Sequence, residues 1–296
     1  MTARQAVLLT LGVIVVSFAA PLIRLAEDAP PLAVAMYRNL FATAVLLPLA
    51  FARHRDELRA LRRGDVTALA GAGVLLAIHF AAWIPSVSLT TVAASTVLVS
   101  TQPVWSAVLA RLFLKERLRR AAAVGIGIAL GGAILISGLD FTLSTRAFLG
   151  DMLALTGAMA VAGHRIASLG VRKRLPILPF VTVIYGACTF VLLIAVLVSG
   201  TPLGGFEPQA WLMMVLLALG PQVVGHTLFN FLLRDLDPTV IAVAIMGEPV
   251  GATLLALALF GEIPPVGALF GGALLLVGIF VAVRAQSRRA VDAPVE

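Results

Sequence analysis

Charge is scarce in this 296-residue chain: charged residues are 12% of it, about half the ~25% usual in soluble proteins. Hydrophobic residues are 60%, and the mean hydropathy is +1.03. A soluble globule of this size has too little interior to hide so much apolar surface, which excludes an ordinary cytosolic enzyme. Cysteine is limited to Cys188, so a disulfide scaffold and a multi-cysteine metal site are both excluded. There is no Gly-Lys-Ser/Thr phosphate loop and no long polar stretch to build a nucleotide-binding domain, so this chain alone does not pump with ATP. Lysine is nearly missing as well, since twenty of the 22 basic residues are arginine. With the alanine content this suggests a GC-rich bacterial genome, and hence a bacterial plasma membrane.

What fills the chain instead is apolar runs of membrane length. A helix needs ~20 mostly apolar residues to cross ~30 Å of hydrocarbon. Ten stretches qualify: Ala6–Leu25, Pro31–Phe51, Val66–Leu89, Val92–Leu114, Ala121–Leu139, Ala147–Gly170, Pro179–Val198, Ala210–Leu233, Thr239–Phe260 and Pro265–Val283. The expected fold is an all-α integral membrane bundle. Arg4, the first apolar run and Ser17-Phe18-Ala19 resemble a secretory leader. The run continues through Pro21-Leu22-Ile23, however, and reads as an uncleaved first span. Arginine and lysine favour the cytoplasmic side. With the N-terminus inside, eighteen of the 22 basic residues fall in cytoplasmic segments and only Arg24 and Arg146 on the other side, with Arg38 and Arg165 inside spans. Both termini are therefore expected in the cytoplasm. The same one-sided scatter explains a pI near 10.9 through topology and contact with lipid headgroups, without a nucleic-acid partner.

The chain also repeats at about half its length. Gln102-Pro103-Val104 matches Glu248-Pro249-Val250, and thirteen residues separate Pro103 from Glu116 and Pro249 from Glu262. Gly125 matches Gly271 and Gly132 matches Gly278; with small shifts His79 matches His226 and Tyr37 matches Tyr185. Residues 1–140 and 147–284 are read as two five-helix repeats, followed by a cytoplasmic tail over 285–296. Five is odd, so the second copy enters the membrane inverted, the architecture of secondary transporters.

At this point the pattern resembles the drug/metabolite transporter superfamily, in particular its EamA-type members. The matching stretches are residues 31–38 opening the second span, His79-Phe80-Ala81-Ala82-Trp83 in the third, Thr91-Val92-Ala93-Ala94-Ser95 opening the fourth, and Pro103 through Glu116 with its echo Pro249 through Glu262. The resemblance implies a ten-helix transporter of small metabolites, commonly an exporter of amino acids or related compounds.

Polar groups inside hydrocarbon are costly and therefore functional candidates. Glu248 falls near the middle of its span and could bind a substrate ammonium or a proton, or make a structural hydrogen bond beside Pro249. Its repeat partner Gln102 cannot titrate, so proton coupling, if present, is assigned to Glu248. His79 and Trp83 share a helix face, as do His226 and Asn230; the alternative for each histidine is a hydrogen bond to a neighbouring backbone carbonyl. Trp105 is expected as a cavity wall, Trp83 as a cavity wall or an interfacial anchor, and Trp211 as an interface anchor. Arg38 is read as structural rather than substrate-binding. Arg165, beside His164, is placed toward the cytoplasmic end, as a gate or headgroup contact and not at the midplane. Pro103, Pro249, Glu116 and Glu262 are read as structural or gating residues. No metal site or cofactor is expected. The resulting expectation is a secondary transporter moving a small organic solute around a cavity between the third, fourth, eighth and ninth spans. The lipid bilayer is its surroundings, and a monomer is one possible state. The competing classes are an integral-membrane enzyme acting on lipid headgroups, and a proton-coupled drug antiporter, which would need a carboxylate that Ala6–Leu25 lacks.

Overall fold

A computed structural model describes residues 2–115, 118–232, 236 and 238–292. Every regular element among the described residues is helical. In chain order they are α1 (Ala3–Ser17), α2 (Ala19–Leu25), α3 (Pro31–Arg53), α4 (Arg55–Arg59), α5 (Arg63–Leu89), α6 (Val92–Val99), α7 (Gln102–Phe113), α8 (Arg120–Leu143), α9 (Thr145–Arg172), α10 (Ile177–Ser199) and α11 (Pro208–Leu217). A π-helical segment (Ala218–Gly225) follows, then α12 (His226–Leu232), α13 (Pro238–Ile245), α14 (Gly247–Phe260) and α15 (Val266–Asp292). Nine helical segments among the described residues are long and apolar enough to cross a membrane, counting α1 with α2, α6 with α7, and α11 with the π segment as single segments. The protein is a multi-pass membrane protein.

Local chemistry sets the ends. Thr2 caps α1, its hydroxyl accepting from the Gln5 N–H while the Gln5 side chain accepts from Thr2 N–H, which satisfies two otherwise orphaned donors. Helices α3 and α10 both follow a proline, Pro30 and Pro176, whose fixed φ suits an entry into helix. Helices α10 and α14 stop on Gly200 and Gly261, at φ +66° and +64°, a left-handed turn that a side chain would strain.

The fourth and ninth apolar runs were expected as continuous helices, and both are interrupted. Helix α6 ends at Val99 and α7 starts at Gln102; α13 ends at Ile245 and α14 starts at Gly247. Proline clashes with the carbonyl four residues before it and offers no N–H. Counting back four from Pro103 gives Val99, and from Pro249 gives Ile245, which are the last residues of the two upstream helices. At the first break Ser100 and Thr101 donate their hydroxyls to Thr96 O at 2.7 Å and Leu98 O at 2.6 Å, alongside their own backbone bonds to the same carbonyls. Such local repair is what permits a break at membrane depth. The first run breaks at Phe18, three residues before Pro21, and the eighth passes through the π segment around Pro221.

The long helices pack in pairs: α3 on α10, α8 on α15, α5 on α9, and α1 on the π segment, α12 and α14. Small residues bring α8 and α15 into backbone contact. A Cβ added at Gly125 would meet Gly278 O at 2.7 Å, and one at Gly132 would meet Gly271 O at 2.5 Å. Close approach of this kind is how membrane helices gain van der Waals energy without a hydrophobic driving force. Between α3 and α10, the hydroxyls of Thr43 and Thr189 lie 3.4 Å apart.

Candidate functional site

Two turns into α3, Arg38 is 1% exposed, one of the largest fully buried side chains. Burying a guanidinium costs several kcal/mol unless its N–H groups and charge are compensated, on the order of magnitude given for buried ions. Arg38 Nε donates to Gln222 Oε1 at 2.6 Å, Gln222 Nε2 donates to Asn39 Oδ1 at 3.1 Å, and Asn39 Nδ2 donates to Ala35 O at 2.9 Å. Gln222 comes from the π segment, where the widened helical turn presents a polar side chain inside an apolar run. The guanidinium carbon also sits 4.5 Å from the Phe80 ring centroid and 5.9 Å from that of Trp83, a cation–π arrangement.

Glu248 lies in the first turn of α14, just after the break, and is half-buried. Its electrostatic neighbours are Arg38 and Arg165. Arg165 is exposed, about two turns before the end of α9, and within electrostatic reach of Glu248. His226, also exposed, joins the same group through Arg38 and Arg165. Gln102 and Trp105, on α7 just past the equivalent break, are half-buried; Trp105 Nε1 donates to Thr101 Oγ1 at 3.1 Å. Arg38 and Arg165 thus each act electrostatically on both Glu248 and His226.

His79 is elsewhere occupied. Its Nδ1 donates to Gly157 O at 2.9 Å on α9, and His164 Nδ1 donates back to Ala72 O at 3.0 Å on α5. The backbone-carbonyl alternative is therefore what His79 does in this conformation. Its ring stacks on Trp83 with centroids 5.7 Å apart and planes 16° apart. Trp83 itself is 4% exposed, which removes it from the membrane interface: it is a wall of the Arg38 site. Trp211 packs edge-on to Tyr37, 4.7 Å between centroids, and beside Phe206. Glu116 and the Asn230 side chain lie outside the described residues.

At one end of the bundle Glu262 closes a second arrangement. It accepts from Arg24 Nη2 at 3.1 Å and, through Oε1, from the Val92 N–H at 2.7 Å, the first amide of α6; Arg24 also donates to Thr90 O at 3.2 Å. A carboxylate at a helix N-terminus is favoured by the helix dipole. A cleft of about 490 Å³ adjoins this pair, its lining including Arg24, Glu27, Asp28, Glu207 and Glu262. Neither Arg38 nor Glu248 lines it. Sequence reasoning passed over Gln222, Asn39 and Arg24. A glutamine directly after Pro221, inside an otherwise apolar run, was the available signal for the first.

An all-helical membrane bundle with interrupted helices and a buried arginine is compatible with a transport protein, and the comparisons agree. Residues 4–138 and 148–284 each match the EamA-like transporter family, and the chain belongs to that family. An uncharacterized transporter of Bacillus subtilis, YdfC, is 27% identical over 187 residues, covering 62% of this chain and 60% of its own length. An uncharacterized transporter of Clostridium kluyveri is 23% identical over 267 residues, 85% of this chain and 83% of the relative. A protein of Streptantibioticus cattleyicolor named as a probable terminal-alkyne amino-acid exporter is 27% identical over 191 residues, 63% of this chain and 62% of the relative. The chain thus aligns with about three fifths of two of these relatives. A solved crystal structure matches with a TM-score of 0.66 at 19% identity, over 95% of this chain and 98% of that one, a likeness of fold.

Proposed function

We propose that the protein is a secondary transporter, an exporter or exchanger, of amino acids or comparable small metabolites in a bacterial plasma membrane. It works by alternating access of two inverted five-helix halves around a midplane site. In this reading α13 and α14 together make a tenth crossing, both termini are cytoplasmic, and residues 1–140 and 147–284 are the halves.

Several contacts support the inverted repeat. Under an offset of 146 residues Gly125 corresponds to Gly271 and Gly132 to Gly278. The Gly125–Gly278 contact becomes Gly271–Gly132, which is also made. The breaks after Val99 and Ile245 correspond too. Reciprocal contacts of this kind are the signature of a two-fold relation, in which residue i meets j and their counterparts meet in turn.

The observation that carries the function is Glu248 at the head of an interrupted helix, within electrostatic reach of Arg38 and Arg165 on other helices. Half-helix ends at membrane depth are where transporters bind solute and coupling ions. The Arg24–Glu262 pair closes one end, while Arg165 and His226 remain exposed. Substrate contacts in this reading come from His79, Trp83, Gln102, Trp105, His226, Asn230 and Glu248, with Glu248 carrying any coupled proton. Pro103 and Pro249 set the breaks; Glu116, Arg165 and Glu262 serve the gates. No cofactor or metal is assigned.

Counterflow in proteoliposomes tests this. Labelled phenylalanine or leucine is expected to accumulate transiently against unlabelled amino acid inside. Absence of counterflow across an amino-acid and nucleobase panel, with modified lipid formed instead, would refute it in favour of an enzyme.

A further inference from the structure

Two buried hydrogen-bond donors of the Arg38 cluster have no acceptor among the described residues: Arg38 Nη1 and Trp83 Nε1. They belong to side chains 1% and 4% exposed, and the guanidinium carbon lies 5.9 Å from the Trp83 ring centroid. Native interiors seldom leave such donors unmet. Here one of them carries a full charge, for which the cost is greater.

The geometry of what is already bound to Arg38 restricts what is missing. Phe80 and Trp83 occupy positions against the guanidinium that cation–π contact requires, and Gln222 takes Nε. The edge bearing Nη1 remains for an acceptor lying in the guanidinium plane, which is how a carboxylate binds arginine. Gln222 is neutral, so the charge of Arg38 has no contacting anion. Glu248 acts on it electrostatically but makes no ion pair with it within 4.0 Å among the described residues.

We propose that Arg38 and Trp83 form a carboxylate-binding subsite for the transported solute, with Glu248 taking the ammonium of the same molecule. The substrate is then an α-amino acid recognised as a zwitterion, not a free amine or a neutral metabolite. Arg38 and Trp83 come from the first half of the chain and Glu248 from the second, so the bound solute ties the two halves together. This inference rests on the amino-acid reading above and adds to it the residues that discriminate the class.

The test uses the purified full-length protein and three probes: L-phenylalanine, 3-phenylpropionate, which lacks the ammonium, and phenethylamine, which lacks the carboxylate. Binding is measured by isothermal titration and ligand-induced thermal shift. Arg38→Lys and Trp83→Phe are each expected to weaken L-phenylalanine and 3-phenylpropionate by about tenfold or more while leaving phenethylamine within about twofold. Glu248→Gln is expected to weaken L-phenylalanine and phenethylamine and to spare 3-phenylpropionate. Trp83→Phe keeps the aromatic surface and removes only the N–H end, so it remains informative where Arg38→Lys fails to fold. If the wild type binds L-phenylalanine and both variants affect all three probes alike, or none, the subsite is wrong while the amino-acid reading stands. If the wild type binds none of the probes and counterflow finds a solute without a carboxylate, both fall.

Discussion

Arg38 holds its position through one neutral partner, and that makes Gln222 the residue most exposed to test. Replacing it with leucine keeps the volume but leaves Arg38 Nε without an acceptor in a dry interior. The expected cost is about 2 kcal/mol, read as a lowered melting temperature, with Gln222→Glu recovering only part of it, because a carboxylate accepts the Arg38 bond but cannot donate to Asn39 Oδ1. A leucine variant as stable as the wild type would mean that Arg38 finds another partner. Glu248→Gln is expected to lose the pH dependence of net uptake while retaining exchange at saturating amino acid, with a raised KM from the lost ammonium contact, measured with an imposed pH gradient across proteoliposomes. Loss of both activities would leave Glu248 as a substrate contact alone. Arg38, Glu248, His79 and Trp83 were legible in the sequence because a polar or indole side chain inside an apolar run stands out. Their partners were not. Arg24 and Glu262 are 238 positions apart, and hydropathy carries no information on which distant polar group meets which. Nor did hydropathy show that His79 Nδ1 bonds the Gly157 carbonyl on another helix.

Among the helices, the breaks were the main feature hydropathy concealed. A window of ~20 residues averages over an interruption of one or two residues, so Val92–Leu114 and Thr239–Phe260 read as continuous although Pro103 and Pro249 were already noted as repeat markers. The steric rule that proline rejects the carbonyl four residues back places both breaks, and could have been applied to the sequence directly. The glycines of α8 and α15 were legible as packing surfaces, and the structure gives their targets. Gly278→Leu would drive a side chain into the backbone at Ala129. It is expected to destabilise by about 1–3 kcal/mol or more, as overpacking does, seen as earlier thermal aggregation in detergent. Gly127→Leu, with nothing within 4 Å of its Cβ position, is expected to be tolerated. Equal loss in both variants would contradict the assigned helix pairing.

For the molecule as a whole, the claim is that one end is latched and the other is not. The Arg24–Glu262 pair is partly exposed, at 25% and 18%, so its own energy is about 1 kcal/mol or less. That is enough to shift a gating equilibrium by about threefold without unfolding anything. Arg24→Gln is expected to raise, by that factor, the labelling rate of a cysteine placed at Thr101 by a membrane-impermeant maleimide added from the Arg24 end. Glu262→Gln is expected to raise it further, because the amide also loses its charge against the N-terminus of α6. Beneath the gate lies the premise that the halves are threaded through the bilayer in opposite senses. Single cysteines at Lys115 and at Glu262, in a chain whose native Cys188 is buried, test it in intact cells with an impermeant reagent. The account predicts labelling from outside at position 262 and only after permeabilisation at position 115; labelling of both from the same side would contradict it.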